Sequence, residues 1–102
     1  MRNKAALAAE LDGIVSWGVA NEVPLYLGEF GVIYHCFEGG RGGLQWVADM
    51  LDLSIERNLS FTYHSYHEWA FPIFQGDPTK GLPRDDDAIP GLRELFAEKL
   101  RP

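Results

Sequence analysis

Three features of this sequence predict an α/β fold built on parallel strands. Residues 23–31, VPLYLGEFG, form an apolar run led in by Pro24 and closed by glycine, the pattern of a strand buried on both faces. Residues 59–66 carry Phe61, Thr62, Tyr63 and Tyr66, aromatic and β-branched side chains that favour a sheet. Stretches with helical apolar spacing alternate with these two runs. Strands alternating with helices point to βαβ units, and burial on both faces is typical of parallel sheets covered by helices.

Each element has its own signature. Residues 4–20 read as a helix, Ala-rich, with Leu7, Leu11, Ile14 and Val15 on one face. Gly18 and Asn21 are its stop signals, and Pro24 opens the first strand, residues 24–29. Residues 30–43, with five glycines, form a loop. A second helix, 43–57, places Leu44, Val47, Leu51 and Ile55 at helical spacing, and Asn58 suits a left-handed cap. After the second strand, 59–66, a loop rich in Pro, Gly and Asp occupies 67–87. Asp87 then caps a last helix, 88–100, with Pro90 tolerated in its first turn and Ile89, Leu92, Phe96 and Leu100 inward. Two parallel strands cannot cover both their faces alone, so the unit is expected either to belong to a larger α/β fold or to assemble with copies of itself.

Composition narrows the function. At 102 residues the chain is one domain at most, or part of one. Its 46% hydrophobic content is that of a globular chain. The net charge of −6, with Lys and Arg dispersed, argues against nucleic acid as a partner and gives no basis for binding an anionic membrane. No apolar run approaches a membrane span, and the N-terminal segment lacks the continuous apolar core of a secretory leader. Cys36 stands alone, and the three His show no zinc-type spacing, so no metal or other cofactor is expected.

Chemistry concentrates where the strands end. Glu29 closes the first strand between Gly28 and Phe30, and parallel α/β folds put active sites at the C-terminal ends of strands. Burying such a carboxylate would cost stability. Tyr34 and His35 follow it, while His64, Tyr66, His67, Glu68, Trp69 and Phe71 close or follow the second strand. Aromatic faces beside carboxylates suit sugars, whose C–H faces stack on rings and whose hydroxyls seek bidentate acceptors. Phe61 and Tyr63 are expected in the core instead.

VPLYLGEFG, the helix segment GGLQWVADMLDLSIERNLS and FTYHSYHEW together resemble the C-terminal portion of glycoside hydrolase family 5, the cellulase family. The resemblance covers residues 5–100. It implies the C-terminal (βα)2 portion of a (β/α)8 TIM barrel, with residues 24–29 on strand seven and 59–66 on strand eight. The implied activity is hydrolysis of β-linked glycans with retention of configuration. Gly28-Glu29-Phe30-Gly31 matches the family's nucleophile motif, which makes Glu29 the expected nucleophile. Trp69 matches a tryptophan flooring the subsite of the sugar to be cleaved. His64, Tyr66, Tyr34, His35 and Glu68 are further expected substrate contacts. Where the family often carries Tyr-Trp, this chain has Tyr63-His64.

Retaining hydrolysis needs a second carboxyl group, roughly 5 to 5.5 Å from the first. Asn21-Glu22-Val23-Pro24 imitates the family's acid/base motif, but seven extended residues separate Glu22 from Glu29, about 23 Å at 3.3 Å each. The family's acid/base Glu therefore has no counterpart in this chain. Two other readings stand beside this one: a non-catalytic (βα)2 module that binds glycans or self-assembles, and a different α/β enzyme in which Glu29 is a general base. Unpaired strand edges favour a homo-oligomer.

Overall fold

A computed structural model describes residues 3–101. The elements run α1 (Lys4–Ala20), β1 (Tyr26–Phe30), α2 (Gly43–Glu56), β2 (Ser60–Tyr63), β3 (His67–Glu68), β4 (Phe74–Gln75) and α3 (Leu92–Lys99), with short 3-10 turns at Tyr34–Phe37, Pro78–Lys80 and Asp85–Asp87. β1 and β2 pair in parallel with α2 crossing between them, the expected βαβ unit. Among the described residues no helix is long and apolar enough to cross a membrane.

α1 has the predicted bounds. Asn3 caps it by accepting the Ala6 N–H at 2.9 Å, and the Asn21 side chain donates to the Trp17 carbonyl at 2.8 Å. Gly18 does not stop the helix; it is buried within it. A Cβ at Gly18 would come within 2.8 Å of the Leu25 side chain, so glycine here lets the helix lie close to the incoming strand. Leu7 and Leu11 face the core as expected, but Ile14 is 57% exposed.

α2 carries the centre of the core. Val47, Leu51 and Ser54 are fully buried and Met50 nearly so, an i, i+3, i+4, i+7 stripe. Leu44 and Ile55, expected on that stripe, lie at its exposed margins. Asn58 takes the predicted left-handed conformation, φ 57°. Asp52 joins the helices from outside, with Lys99 of α3 at 2.8 Å and Lys4 of α1 at 3.2 Å. The Lys99 hydrogen bond, helped by Lys4, holds its carboxyl below the usual range.

The last helix departs most from expectation. It starts at Leu92, with Gly91 rather than Asp87 as its N-cap. Pro90 disfavours helical geometry at Ile89, and the Ile89 N–H is already given to the Ile73 carbonyl at 2.8 Å. Asp87 instead accepts the Arg84 N–H at 3.0 Å, closing the turn before it. Ile89 and Leu92 are buried as expected, whereas Leu100 is 48% exposed.

Strand β2 ends at Tyr63 rather than at residue 66. Beyond it the backbone pairs with its own loop: Ser65 N–H donates to the Phe71 carbonyl, and the Ser65 and Tyr66 carbonyls accept from Ile73 and Phe74. β3 and β4 continue this pairing inside the stretch expected to be loop. One cluster unites Leu7, Leu11, Phe30, Val47, Leu51 and Leu92 with the half-buried Leu27, Phe61 and Tyr63. All three helices thus cover the same side of β1–β2, and the expected burial of β1 on both faces is not met. Tyr26 is 61% exposed on the open side, its hydroxyl meeting that of Thr62.

Burial sets the scale of mutational effects. Leu51→Ala is expected to lower the unfolding free energy by about 3 kcal/mol. Ile14→Ala, on the exposed side of α1, should change it by under about 0.5 kcal/mol. Urea denaturation of the two variants checks both values.

Candidate active site

The position of Glu29 follows from an irregularity in the strand pairing. Leu27 aligns with Phe61 and Phe30 with Tyr63, so Gly28 and Glu29 together oppose the single residue Thr62. An extra residue of this kind re-aims side chains at a strand end. Here Leu27 and Phe30 both reach the core, although three positions apart would normally put them on opposite faces. Phe30 is 8% exposed and its ring packs against Trp46, Phe61 and Tyr63 at centroid distances of 6.0, 5.4 and 5.4 Å. Glu29 is left on the open side, its side chain 70% exposed. The desolvation cost expected of a buried carboxylate is therefore absent in this chain.

His64 stands beside it. The His64 N–H donates to the Phe30 carbonyl at 2.9 Å, extending the β1–β2 pairing by one bond. Its imidazole lies between two carboxylates, Nδ1 3.8 Å from Glu29 Oε2 and Nε2 3.3 Å from Glu68 Oε1. Glu68 Oε1 also accepts the Phe71 N–H at 3.0 Å, which fixes the far end of the array. An imidazole in this setting presents an N–H to one carboxylate when neutral and to both when protonated. The ring of His64 separates the two acids, so Glu68 does not face Glu29 directly.

Gly31 completes the strand end. A Cβ there would collide with the His64 carbonyl oxygen, so only glycine allows the two chains to approach this closely. Glu29, Phe30, Gly31, His64 and Phe71 line an open cleft of about 290 Å³. Phe71, whose ring lies 6.0 Å from that of His64, shares this cleft with the largely buried Phe30. Phe71 belongs to the aromatic cluster expected after the second strand, although it was not among the expected substrate contacts.

The other expected site residues sit elsewhere. Trp69 is 62% exposed and lines a separate cleft with Gln75, Asp77, Lys80, Arg84 and Asp87. Tyr66, 59% exposed, borders a third depression with Pro78 and Leu82, its ring against Phe74. Tyr34 and His35 stack on each other at 3.9 Å in the turn after β1; Tyr34 packs against the core and the His35 carbonyl accepts from Arg41. Neither residue lines the Glu29 cleft. Tyr63 is core, as expected, and burial pushes its phenol up to about 12, the Val32 backbone offsetting only part of the effect. Glu22 lies in the turn before β1, in a depression with Arg57 and Asn58, far along the strand from Glu29. Among the described residues no group of His, Cys, Asp and Glu is arranged to hold a metal ion.

The two motif glycines should respond differently to substitution. Gly31→Ala is expected to destabilise the fold by about 1 to 3 kcal/mol, because backbone must move to admit the methyl group. Gly28→Ala has open space around the new Cβ and should cost under about 1 kcal/mol. Thermal unfolding of both variants measures the difference.

No family model and no curated protein sequence matches this chain. Solved structures do. Thermotoga maritima Cel5A in complex with cellobiose superposes with a TM-score of 0.67 at 20% identity, over 91% of this chain and 27% of that one. The same enzyme in complex with a mannotriose substrate gives 0.66 at 22% identity, over 90% and 27%. A structure described as an endoglucanase gives 0.68 at 20% identity, over 90% and 26%. The chain thus spans about a quarter of the length of the structures it matches. Its fold is a small α/β unit with parallel strands that superposes on about a quarter of each of these structures.

Proposed function

We propose that this chain is the C-terminal (βα)2 part of a retaining β-glycan hydrolase barrel, with Glu29 as its nucleophile. The observation that carries this reading is the Glu29 carboxylate at the C-terminal end of a parallel strand, open to a cleft, with His64 alongside. In this role a Glu29 oxygen attacks the anomeric carbon and the glycosidic oxygen departs with a proton. Water then cleaves the glycosyl ester. His64 faces Oε2, which leaves Oε1 free to attack. The His64 ring between the two acids argues against Glu68 as the proton donor, and in this reading the donor belongs to a part of the barrel outside these residues.

A 2-fluoro glycoside with a dinitrophenolate leaving group tests the assignment, because that leaving group departs without protonation. The expected result is a stable mass increase on the peptide containing Glu29, absent in Glu29→Gln. Labelling that persists in Glu29→Gln, or no labelling while glycan binding is retained, would falsify the nucleophile role.

A second reading, self-assembly through the open sheet, is favoured by a different observation. Tyr26 is 61% exposed on the open side of the sheet, and β1 has no strand partner on the side away from β2 among the described residues. Unpaired edges flanked by apolar side chains drive association. In this reading copies of the chain, or further barrel units, cover that face. Light scattering at micromolar concentration is expected to show a homo-oligomer, and a clean monomer sinks this second reading.

A further inference from the structure

Trp69 and Glu29 open into different clefts, and the Trp69 cleft has the composition of a binding site of its own. Its volume is about 260 Å³, just below the range of drug-sized small-molecule sites and suited to a single ring. Trp69 follows β3 directly and offers an indole face that is 62% exposed. Around it stand Gln75, Asp77, Lys80, Arg84 and Asp87, drawn from the end of β4 and the two 3-10 turns.

We propose that this cleft is a second saccharide site, distinct from the one at Glu29, that holds one neutral pyranose ring of a β-linked glycan against Trp69. The indole supplies a flat apolar surface for the C–H face of the sugar. Amide, carboxylate and guanidinium groups are the planar side chains that meet neighbouring hydroxyls in pairs. The two carboxylates and the backbone that carries Gln75 and Arg84 are set before any ligand arrives. Asp77 accepts from the Thr79 N–H at 2.9 Å and from its hydroxyl at 2.6 Å, while Arg84 and Asp87 are linked through the turn they close. Gln75 is held by the β3–β4 pairing.

Charge selects the ligand class. Two permanent cations, Lys80 and Arg84, are matched by two anions, Asp77 and Asp87, with the His67 imidazole also in the lining, and the Arg84 guanidinium stands 3.9 Å from Asp87. A balanced lining gives no preference to an acidic sugar, and hydroxyls alone satisfy its donors and acceptors. The site depends on the glycan-directed reading above for its ligand class, and on nothing about catalysis at Glu29.

Titration of the full chain with cellotriose, followed by the backbone amide signals of Gln75, Gly76, Asp77 and Gly81 and, in wild type, the Trp69 indole N–H in ¹⁵N-correlated NMR spectra, tests the site. The expected result is saturable binding with a dissociation constant in the millimolar range. Trp69→Ala should weaken it about tenfold or more, the loss expected for an aromatic stacking partner. Glu29→Gln should leave it within about twofold. Retained affinity in Trp69→Ala overturns the proposal, as does the absence of any response in wild type. Loss on Glu29→Gln with retention in Trp69→Ala also overturns it, while leaving the nucleophile assignment intact. Tighter binding of a galacturonate trimer than of cellotriose overturns the neutral-ring assignment. Because Trp69 is exposed, its variant keeps the fold, which the remaining amide signals report.

Discussion

The packing of Phe30 is the constraint on which the rest of the strand end depends. Its ring is held by three other aromatics, and Tyr63 extends the contact to Phe96 of α3 at 5.0 Å. With Leu27 and Phe30 both drawn into one core, the backbone between them must contain an extra residue relative to β2. Glu29 reaches the open side for this reason. Its location is a by-product of hydrophobic packing, which is worth several kcal/mol for each large buried ring. A single exposed ion pair, such as Glu29 with His64, is too weak to place the strand.

Much of this was legible in the sequence, and the exceptions share a cause. Long periodic elements came through: α1 has the expected bounds, and α2 differs from expectation by one residue at its C-terminal end. The parallel pairing of the two strands followed from alternation alone. What failed were features decided by partners distant in sequence. Asp87 looks like a helix cap until Ile73 claims the Ile89 amide ahead of it. Residues 64–66 look like strand until the 71–74 segment takes over their hydrogen bonds. Burial of β1 on both faces was read from its apolar composition, yet all the helices of this chain lie on one side.

The candidate site shows the same division. Glu29 was identifiable because a carboxylate between glycines at the end of an apolar run is chemically out of place. The role of His64 was not, since the three residues between it and Glu68 give no hint that the imidazole bridges two acids. Trp69 was read as the floor of the sugar subsite, but proximity in sequence to Glu68 did not bring it into the Glu29 cleft; it is exposed in a separate one.

The close approach at Gly31 has a wider consequence. The separation of the two strand ends is set by main chain against main chain, Gly31 against the His64 carbonyl, together with the His64 amide bond to Phe30. No side chain at position 64 takes part in either contact. The strand end therefore behaves as a socket whose dimensions are built into the backbone, while the residue plugged into it is interchangeable. Histidine there gives Glu29 a proton-carrying neighbour; an indole in the same socket would give it a flat apolar one. One framework can host either chemistry without altering where the carboxylate stands.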